Sequence, residues 1–174
     1  SGFGDESDRV AYDLILQAET GFMSMNGTPE SGPTKMPVAL IDVLAAHQLK
    51  EGILVALYKR LQTNKGSVVS VSLYDAAIAS LANQASNYLM AGHVPQRIGS
   101  LHPNIAPYGE IFKTKDEQQI TFAIGSNRHF AGLCVFLKLD TLANDERFST
   151  NSKRVENRAI LQSLLQQQIS NLYW

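Results

Sequence analysis

One stretch without hydrophobic periodicity divides this chain into two parts that are patterned differently. Residues 92–109 contain three prolines and three glycines, a composition typical of loops. Eighteen residues are long for a connection inside a compact domain, so the stretch is either a linker or a functional loop. We therefore predict an α-rich first part in residues 1–91, a connector in 92–108 and a small α+β domain in 109–174.

The first part is predicted to contain helices and one strand. A short helix begins near Tyr12, a loop with two glycines and three prolines covers 27–37, and a long amphipathic helix covers about 42–62. The segment from Ser67 to Ser72 is rich in valine, which favours a strand, and a helix is predicted over about 73–90. A strand followed at once by a helix is typical of α/β folds.

The helix over 42–62 is predicted to bury one apolar face and to end at a glycine. The apolar residues that share this face are Leu49, Ile53, Ala56, Leu57 and Leu61. Gly66 follows the helix and is suited to the left-handed conformation of a C-terminal cap.

The second part shows the pattern of a β-hairpin followed by helices. Apolar runs at 110–113 and 119–124 flank a polar turn, which predicts two antiparallel strands. Ser126 is a candidate N-cap for a helix that runs to about Leu137. Residues 140–150 are predicted to be irregular, and a last helix is predicted over 152–173.

Composition excludes several classes of protein. The net charge is −1 and there is no basic run, which argues against a nucleic-acid surface. No apolar stretch reaches the roughly 20 residues of a membrane span, and there is no signal-peptide pattern. The single cysteine, Cys134, is predicted to be a buried core thiol, since its neighbours are apolar. We predict a reducing, cytoplasmic location.

Asp42 is the carboxylate whose neighbours best suit covalent catalysis. Apolar residues surround it in sequence from Val38 to Leu44, and apolar surroundings strip the hydration that makes a carboxylate a poor nucleophile. Carboxylates so placed act as covalent catalysts. The alternative interpretation is a helix N-cap, because aspartate at a helix start accepts backbone N–H bonds. The two roles are compatible.

Other candidate sites are less specific. His47 and Glu51 have the i, i+4 spacing that metal sites use, but without a third ligand a hydrogen-bonded pair on one helix is the simpler interpretation. The sequence contains neither a Gly-x-Ser-x-Gly elbow nor a glycine-rich phosphate loop. Within the connector, Gly99, Ser100 and His102 belong either to a loop over an active site or to an ordinary turn.

Several short motifs, in order and at matching spacing, resemble those of the family III coenzyme A transferases, the CaiB/BaiF group that includes formyl-CoA transferase. The matching segments are Tyr12-Asp13-x-x-x-Gln17-Ala18 with Gly21, Pro37 to Asp42, Gly66 to Ala76, Pro107-Tyr108-Gly109, Asp145 to Phe148 and Asn157-Arg158. Each motif alone is weak, but together they cover nearly the whole chain.

The resemblance implies an α/β fold and places this chain in the middle of it. We expect the α-rich end of a Rossmann-like large domain, the connector and the small α+β domain of a two-domain protein whose chains interlock as a homodimer. Most contacts to the CoA adenine and phosphates are expected upstream of Ser1. The isolated chain is therefore expected to be inactive, with coenzyme A a co-substrate and no tightly bound cofactor or metal.

The resemblance also implies site residues. Asp42 matches the aspartate that attacks the acyl-CoA thioester and passes CoA to a carboxylic acid through covalent aspartyl intermediates. Tyr12 and Asp13 match positions beside the active site. Backbone N–H groups of a loop near Gly99, Ser100 and His102 are expected to stabilise charged intermediates. The chain lacks the run of glycines found there in formyl-CoA transferases.

Two alternatives remain open at this point. The related α-methylacyl-CoA racemases pair the aspartate with a histidine at the position of Tyr12, and a phenol is a poor base at neutral pH, so transfer is favoured over racemisation. A non-catalytic fragment or dimerisation module is the other alternative.

Overall fold

The described part of the chain, residues 10–174 of a computed structural model, divides between Gly99 and Ser100 into two units. This boundary falls inside the segment predicted to be a connector. No helix within residues 10–174 has both the length and the apolar composition needed to cross a membrane.

The first unit, up to Gly99, is built from helices whose small core lies at the start of the longest one. In chain order these are α1 (Asp13–Glu19), α2 (Phe22–Met25), α3 (Leu40–Thr63), α4 (Leu73–Ala79) and α5 (Ala82–Ala91). Helix α1 packs against both α3 and α4. Leu16 of α1, Ile41 of α3 and Ala77 of α4 are buried together, so the core fixes the N-terminal end of α3.

Two sequence predictions about this unit are wrong. Ser67 to Ser72 forms no strand, because a strand requires a hydrogen-bonded partner and the described residues offer this segment none. The predicted apolar face of α3 is not buried: Ile53 is 45% exposed and Leu61 86% exposed. Large apolar side chains outside this face, such as Leu54 and Val55, are exposed as well, so α3 is not amphipathic in the way predicted. Burial needs a neighbouring element, and α1 and α4 cover little of the helix.

The ends of two helices also differ from the predictions. Asn64, not Gly66, adopts the left-handed conformation after α3, with φ of 54°, and its N–H donates to the Arg60 carbonyl. Asparagine tolerates this conformation better than most residues. The helix predicted over 73–90 is divided near Ser80, whose hydroxyl donates to the Ala76 carbonyl and so competes with the backbone ladder.

The second unit, from Ser100, packs helices against a β-hairpin. Strands β1 (Tyr108–Lys113) and β2 (Gln119–Ala123) are antiparallel, as predicted. The helical elements that follow are α6 (Asn127–Phe136), α7 (Asp140–Ala143), a 3-10 turn (Glu146–Phe148), α8 (Asn151–Glu156) and α9 (Arg158–Ile169). The core includes Phe112, Phe130, Cys134, Leu161 and Leu165.

In the second unit, one predicted helix cap is confirmed and two predicted segments differ from the structure. The Ser126 hydroxyl accepts the His129 N–H at the start of α6, as expected of an N-cap. The segment 140–150 is more ordered than predicted, since it holds α7 and the 3-10 turn. The last predicted helix is divided into α8 and α9 at Asn157, whose side-chain amide donates to the Lys153 carbonyl within α8.

Arg154 of α8 is fully buried and joins three separate segments of the second unit. Its guanidinium donates to the Ala106 carbonyl at 2.8 Å, to the Phe148 carbonyl at 3.0 Å and to Asn127 Oδ1 at 3.0 Å. It also lies over the Phe130 ring, 4.6 Å from the centroid. Burial lowers the pKa of this guanidinium, and the hydrogen bonds offset part of the cost of burying its charge.

We predict that Arg154→Met destabilises the second unit by about 2–4 kcal/mol, because two buried carbonyls lose their donors. The measurement is urea unfolding of the full-length variant. Arg147→Met is the control, since Arg147 pairs with Asp145 near the surface, and it should cost less than about 1 kcal/mol. Equal effects of the two substitutions would contradict the role of Arg154.

Candidate active site

Helix α3 receives its N-terminal cap from a residue far away in the sequence. Its own N-cap residue is Ala39, which has no side-chain acceptor. The Ile41 N–H instead donates to Asp13 Oδ1 at 2.7 Å, across 28 residues of chain. A carboxylate here satisfies one of the free N–H groups at the helix start and suits the positive end of the helix dipole. Asp13 therefore fixes the first turn of α3.

Gln17 extends this interaction to the segment that leads into α3. Its side chain is fully buried, and its amide nitrogen donates to Asp13 Oδ2 at 2.6 Å and to the Val38 carbonyl at 3.3 Å. Its amide oxygen accepts the Met36 N–H at 2.8 Å. One face of α1 thus holds both the approach to α3 and its first turn.

Asp42 occupies the third position of α3, directly after the residue that Asp13 holds. Tyr12 directly precedes Asp13 and is the N-cap residue of α1. Tyr12 adjoins Asp13 in the sequence, and Asp42 adjoins Ile41. The hydrogen bond between Asp13 and Ile41 therefore links the segment that contains Tyr12 to the segment that contains Asp42. Asp42 is not the N-cap, so that alternative interpretation is wrong in detail, although the residue does lie in the first helical turn.

Exposure corrects one expectation about Asp42. Its side chain is exposed in this chain, as is that of Tyr12, which is 70% exposed. Neighbouring apolar residues do not desolvate it, because Val38 and Val43 also face outward, while Ile41 is buried in the core and Leu44 packs against that core. The residues that adjoin Asp42 in sequence therefore do not provide the dry environment that the pattern predicted.

Asp13 was predicted to contact substrate, but its two oxygens already have partners within the protein. One accepts from Ile41 and the other from Gln17. The structure thus gives Asp13 a positioning contact, and direct contact with substrate stays a prediction.

The residues predicted for the loop are divided by the boundary between the two units. Gly99 ends the first unit, where its N–H donates to the Gly27 carbonyl at 2.9 Å and its φ is +63°. Ser100 and His102 begin the second unit. The Asn104 N–H donates to His102 Nδ1, so the neutral imidazole carries its proton on Nε2.

Other candidate groups have ordinary surroundings. The His47 ring lies 3.1 Å from the Lys50 ammonium rather than joining Glu51 in a ligand pair. Across residues 10–174, no group of three or more His, Cys, Asp or Glu side chains is arranged to hold a metal ion. Cys134 is buried, as predicted, and burial raises the pKa of its thiol, which disfavours the reactive thiolate.

An apolar cavity of about 310 Å³ lies in the first unit, lined by α2 and the turn before it, by the end of α4, by α5 and by the residues just after α5. Ile78, Leu81, Tyr88 and Val94 contribute most of its large side chains. None of the predicted site residues lines it, so the cavity is separate from the first turn of α3.

The sequence motifs and the fold agree with those of a known family. The model of CoA-transferase family III matches residues 1–173, and the chain belongs to this family. The α/β class predicted from the sequence is confirmed by solved members of the CaiB/BaiF group.

Curated relatives are similar along nearly all of this chain. Succinate–glutarate CoA-transferase of Agrobacterium fabrum is 36% identical over 168 residues, which cover 95% of this chain and 42% of that protein. Acetyl-CoA:oxalate CoA-transferase of Acetobacter aceti is 33% identical over 174 residues, covering 98% and 44% respectively. The chain thus spans less than half the length of these relatives.

Solved structures are also similar along nearly all of this chain, which again spans less than half of theirs. A CAIB/BAIF family protein from Brucella suis is 38% identical, with a TM-score of 0.71, over 99% of this chain and 45% of that one. A hypothetical protein from Mycobacterium tuberculosis is 28% identical, with a TM-score of 0.80, over 99% and 45%.

The role of Gln17 was not predicted from the sequence. The residue was quoted as part of a motif, but a glutamine four residues after an aspartate on one helix face could have indicated the hydrogen-bonded pair. Its bonds to Met36 and Val38 depend on tertiary contacts that sequence spacing does not reveal.

We predict that Gln17→Ala destabilises the first unit by about 2–3 kcal/mol, because the Met36 N–H and one Asp13 oxygen lose a buried partner. Urea unfolding of the full-length variant measures this. Gln96→Ala is the matched control, since Gln96 is exposed and bonds only the Val94 carbonyl among the contacts described. A Gln17 effect no larger than that of the control would contradict the network.

Proposed function

We propose that the full-length protein transfers coenzyme A from an acyl-CoA thioester to a carboxylic acid, with Asp42 as the nucleophile. The observation that supports this most directly is the position of Asp42 in a first helical turn that is held by Asp13, within a chain of CoA-transferase family III. Several similar curated proteins are named CoA-transferases, which supports the same reaction.

The proposed reaction begins at an Asp42 carboxylate oxygen. This oxygen attacks the thioester carbonyl, the C–S bond breaks, and the CoA thiolate leaves a mixed anhydride. The thiolate then attacks the aspartyl carbonyl, which releases the donor acid and forms an aspartyl-CoA thioester. The acceptor carboxylate attacks this thioester and displaces the thiolate again. Attack of the thiolate on the acceptor acyl group forms the product and restores Asp42.

The helix start suits this chemistry. Asp42 lies in the first turn of α3, where the partial positive charge of the helix dipole favours an anionic nucleophile and the negative charge that develops in each addition step. A fixed first turn also limits the reorganisation needed before attack. We assign Asp13 and Gln17 to positioning, and Tyr12 to substrate contact beside the nucleophile.

The loop that begins the second unit is proposed to contact substrate. Ser100 and His102, with Gly99 before them, carry this role in the predicted site. His102 Nε2–H is a donor that the Asn104 contact leaves available for an acyl oxygen or a carboxylate. Backbone N–H groups of the loop are proposed to stabilise the anionic intermediates.

The acceptor is proposed to be a short dicarboxylic acid. The names of the relatives include succinate, glutarate and oxalate, each with two carboxyl groups. A second carboxylate gives a site a charged group to hold while the first one reacts. Coenzyme A acts as co-substrate in this proposal, and no tightly bound cofactor takes part.

Assembly and location are part of the same proposal. Large apolar side chains such as Leu61 of α3 and Met90 of α5 are 86% and 87% exposed in this chain. Exposed apolar surface of this kind supports covering by further polypeptide, either of the same protein or of a second copy in an interlocked homodimer. A cytoplasmic location fits an acyl-CoA substrate.

We predict that Asp42→Ala lowers kcat of the full-length protein at least about a thousandfold, because the covalent route loses its nucleophile. In the unchanged protein, hydroxylamine added with an acyl-CoA should inactivate the enzyme and leave a hydroxamate on Asp42. Mass spectrometry of the peptides identifies the modified residue.

Asp75→Ala is the matched control for this experiment. Asp75 is the third residue of α4, as Asp42 is of α3, and it is also exposed. The control should keep CoA transfer and should carry no hydroxamate. Full turnover by Asp42→Ala would overturn the proposal. Exchange of the α-hydrogen of a 2-methylacyl-CoA with deuterated water, without CoA transfer, would favour racemisation instead.

A further inference from the structure

The loop that opens the second unit lies against the start of β1. The Ser100 hydroxyl donates to the Gly109 carbonyl at 2.6 Å, and the His102 N–H donates to the Tyr108 carbonyl at 2.9 Å. Gly109 has a φ of +87°, and a Cβ at this position would collide with the Ser100 carbonyl. The close approach therefore requires glycine at position 109.

The same loop is also held from the opposite end of the sequence. The Arg158 guanidinium, in the first turn of α9, donates to the His102 carbonyl at 2.6 Å and to the Ile105 carbonyl at 2.9 Å. Its other terminal nitrogen donates to Glu110 Oε1 at 2.8 Å. One planar cation thus joins two loop carbonyls to a strand carboxylate, a use that depends on the forked geometry of arginine.

This ion pair is buried and incompletely satisfied. The side chains of Glu110 and Arg158 are 2% and 15% exposed, and Glu110 Oε2 has no hydrogen-bond partner in the described chain. Burying a carboxylate oxygen without a donor costs free energy. A buried pair of this kind contributes little net stability, so its contacts with the loop carbonyls point to a role other than stabilisation.

A different side chain, Asn151, holds the C-terminal end of the loop, so the contacts of Arg158 can be removed without removing those of Asn151. Asn151 accepts the Ala106 N–H at 3.2 Å and donates to the Asn104 carbonyl at 2.7 Å. The Asn151 contacts fix the exit of the loop at Asn104 and Ala106. Arg158 is the charged group that fixes the peptide of His102, the loop residue predicted to meet substrate.

We propose that Arg158, held by Glu110, is a positioning residue that fixes the backbone of Ser100 to Ile105 and thereby the orientation of His102. The predicted effect of Arg158 on catalysis rests on the proposed function. Its predicted effect on the loop backbone does not depend on any activity. A loop fixed before substrate arrives stabilises charge in the transition state without paying for reorganisation.

The test compares the same substitution at two arginines of the full-length protein. Arg158→Lys keeps the charge beside Glu110 but removes the fork that reaches both loop carbonyls. Arg147→Lys is the matched control, because Arg147 also pairs with a carboxylate, that of Asp145, and no contact described for its side chain reaches the loop. Hydrogen exchange of peptides covering 100–106 and steady-state kinetics are measured for both.

We expect Arg158→Lys to accelerate amide exchange in 100–106 about tenfold or more, with α6 and α9 unchanged. We also expect kcat and kcat/KM to fall together by about tenfold, because the lost effect acts in the transition state. Arg147→Lys should change neither quantity. Glu110→Gln, which keeps the shape of the pair, should give a smaller change in the same direction and serves if Arg158→Lys fails to fold.

Three results would overturn the proposal: unchanged exchange in the loop, acceleration spread equally over the whole unit, or a more mobile loop with unaltered kinetics in an active enzyme. If the unchanged protein transfers no CoA, the proposed function fails and loop exchange alone decides whether Arg158 positions the loop. The two failures are therefore distinguishable.

Discussion

The first turn of α3, which carries Asp42, is capped by one hydrogen bond, from the Ile41 N–H to the Asp13 carboxylate. Helix α3 starts at a residue that cannot cap it, since Ala39 carries no acceptor, so the cap must come from elsewhere. Gln17 orients the same carboxylate and holds the backbone at Met36 and Val38. The segment before Asp42 is thereby fixed on one side by α1, which explains how two motif segments that are distant in the sequence come into contact.

In the second unit, two arginines, one buried and one largely buried, fix loop backbone by hydrogen bonds. Arg154 lies in α8 and Arg158 begins α9, and each donates to backbone carbonyls that are far away in the sequence. A guanidinium offers five donors in a fixed plane, so one side chain can fix several loop peptides at once. These hydrogen bonds hold the loop backbone at His102, Ile105 and Ala106, where no helix or strand fixes it.

The sequence predicted best those features that depend on neighbouring residues. The hairpin, the Ser126 cap and the buried Cys134 follow from local pattern and were confirmed. Ser67 to Ser72 was predicted to be a strand, but pairing needs a partner that this pattern does not supply. Asp42 was predicted as the nucleophile from its apolar neighbours and from the resemblance, whereas its exposure and its capping neighbour depend on tertiary contacts. Arg158 was quoted only as a motif residue, because its two carbonyl partners lie more than 50 positions away.

Amide hydrogen exchange at Ile41, measured in the unchanged full-length protein and in its Asp13→Ala variant, tests most directly whether Asp13 caps α3. If Asp13 caps α3, the Ile41 amide should exchange at least about tenfold faster in the variant, with amides in the middle of α3 unaffected. Equal exchange rates at Ile41 would contradict the account, because the first turn that carries Asp42 would then be held by something other than Asp13.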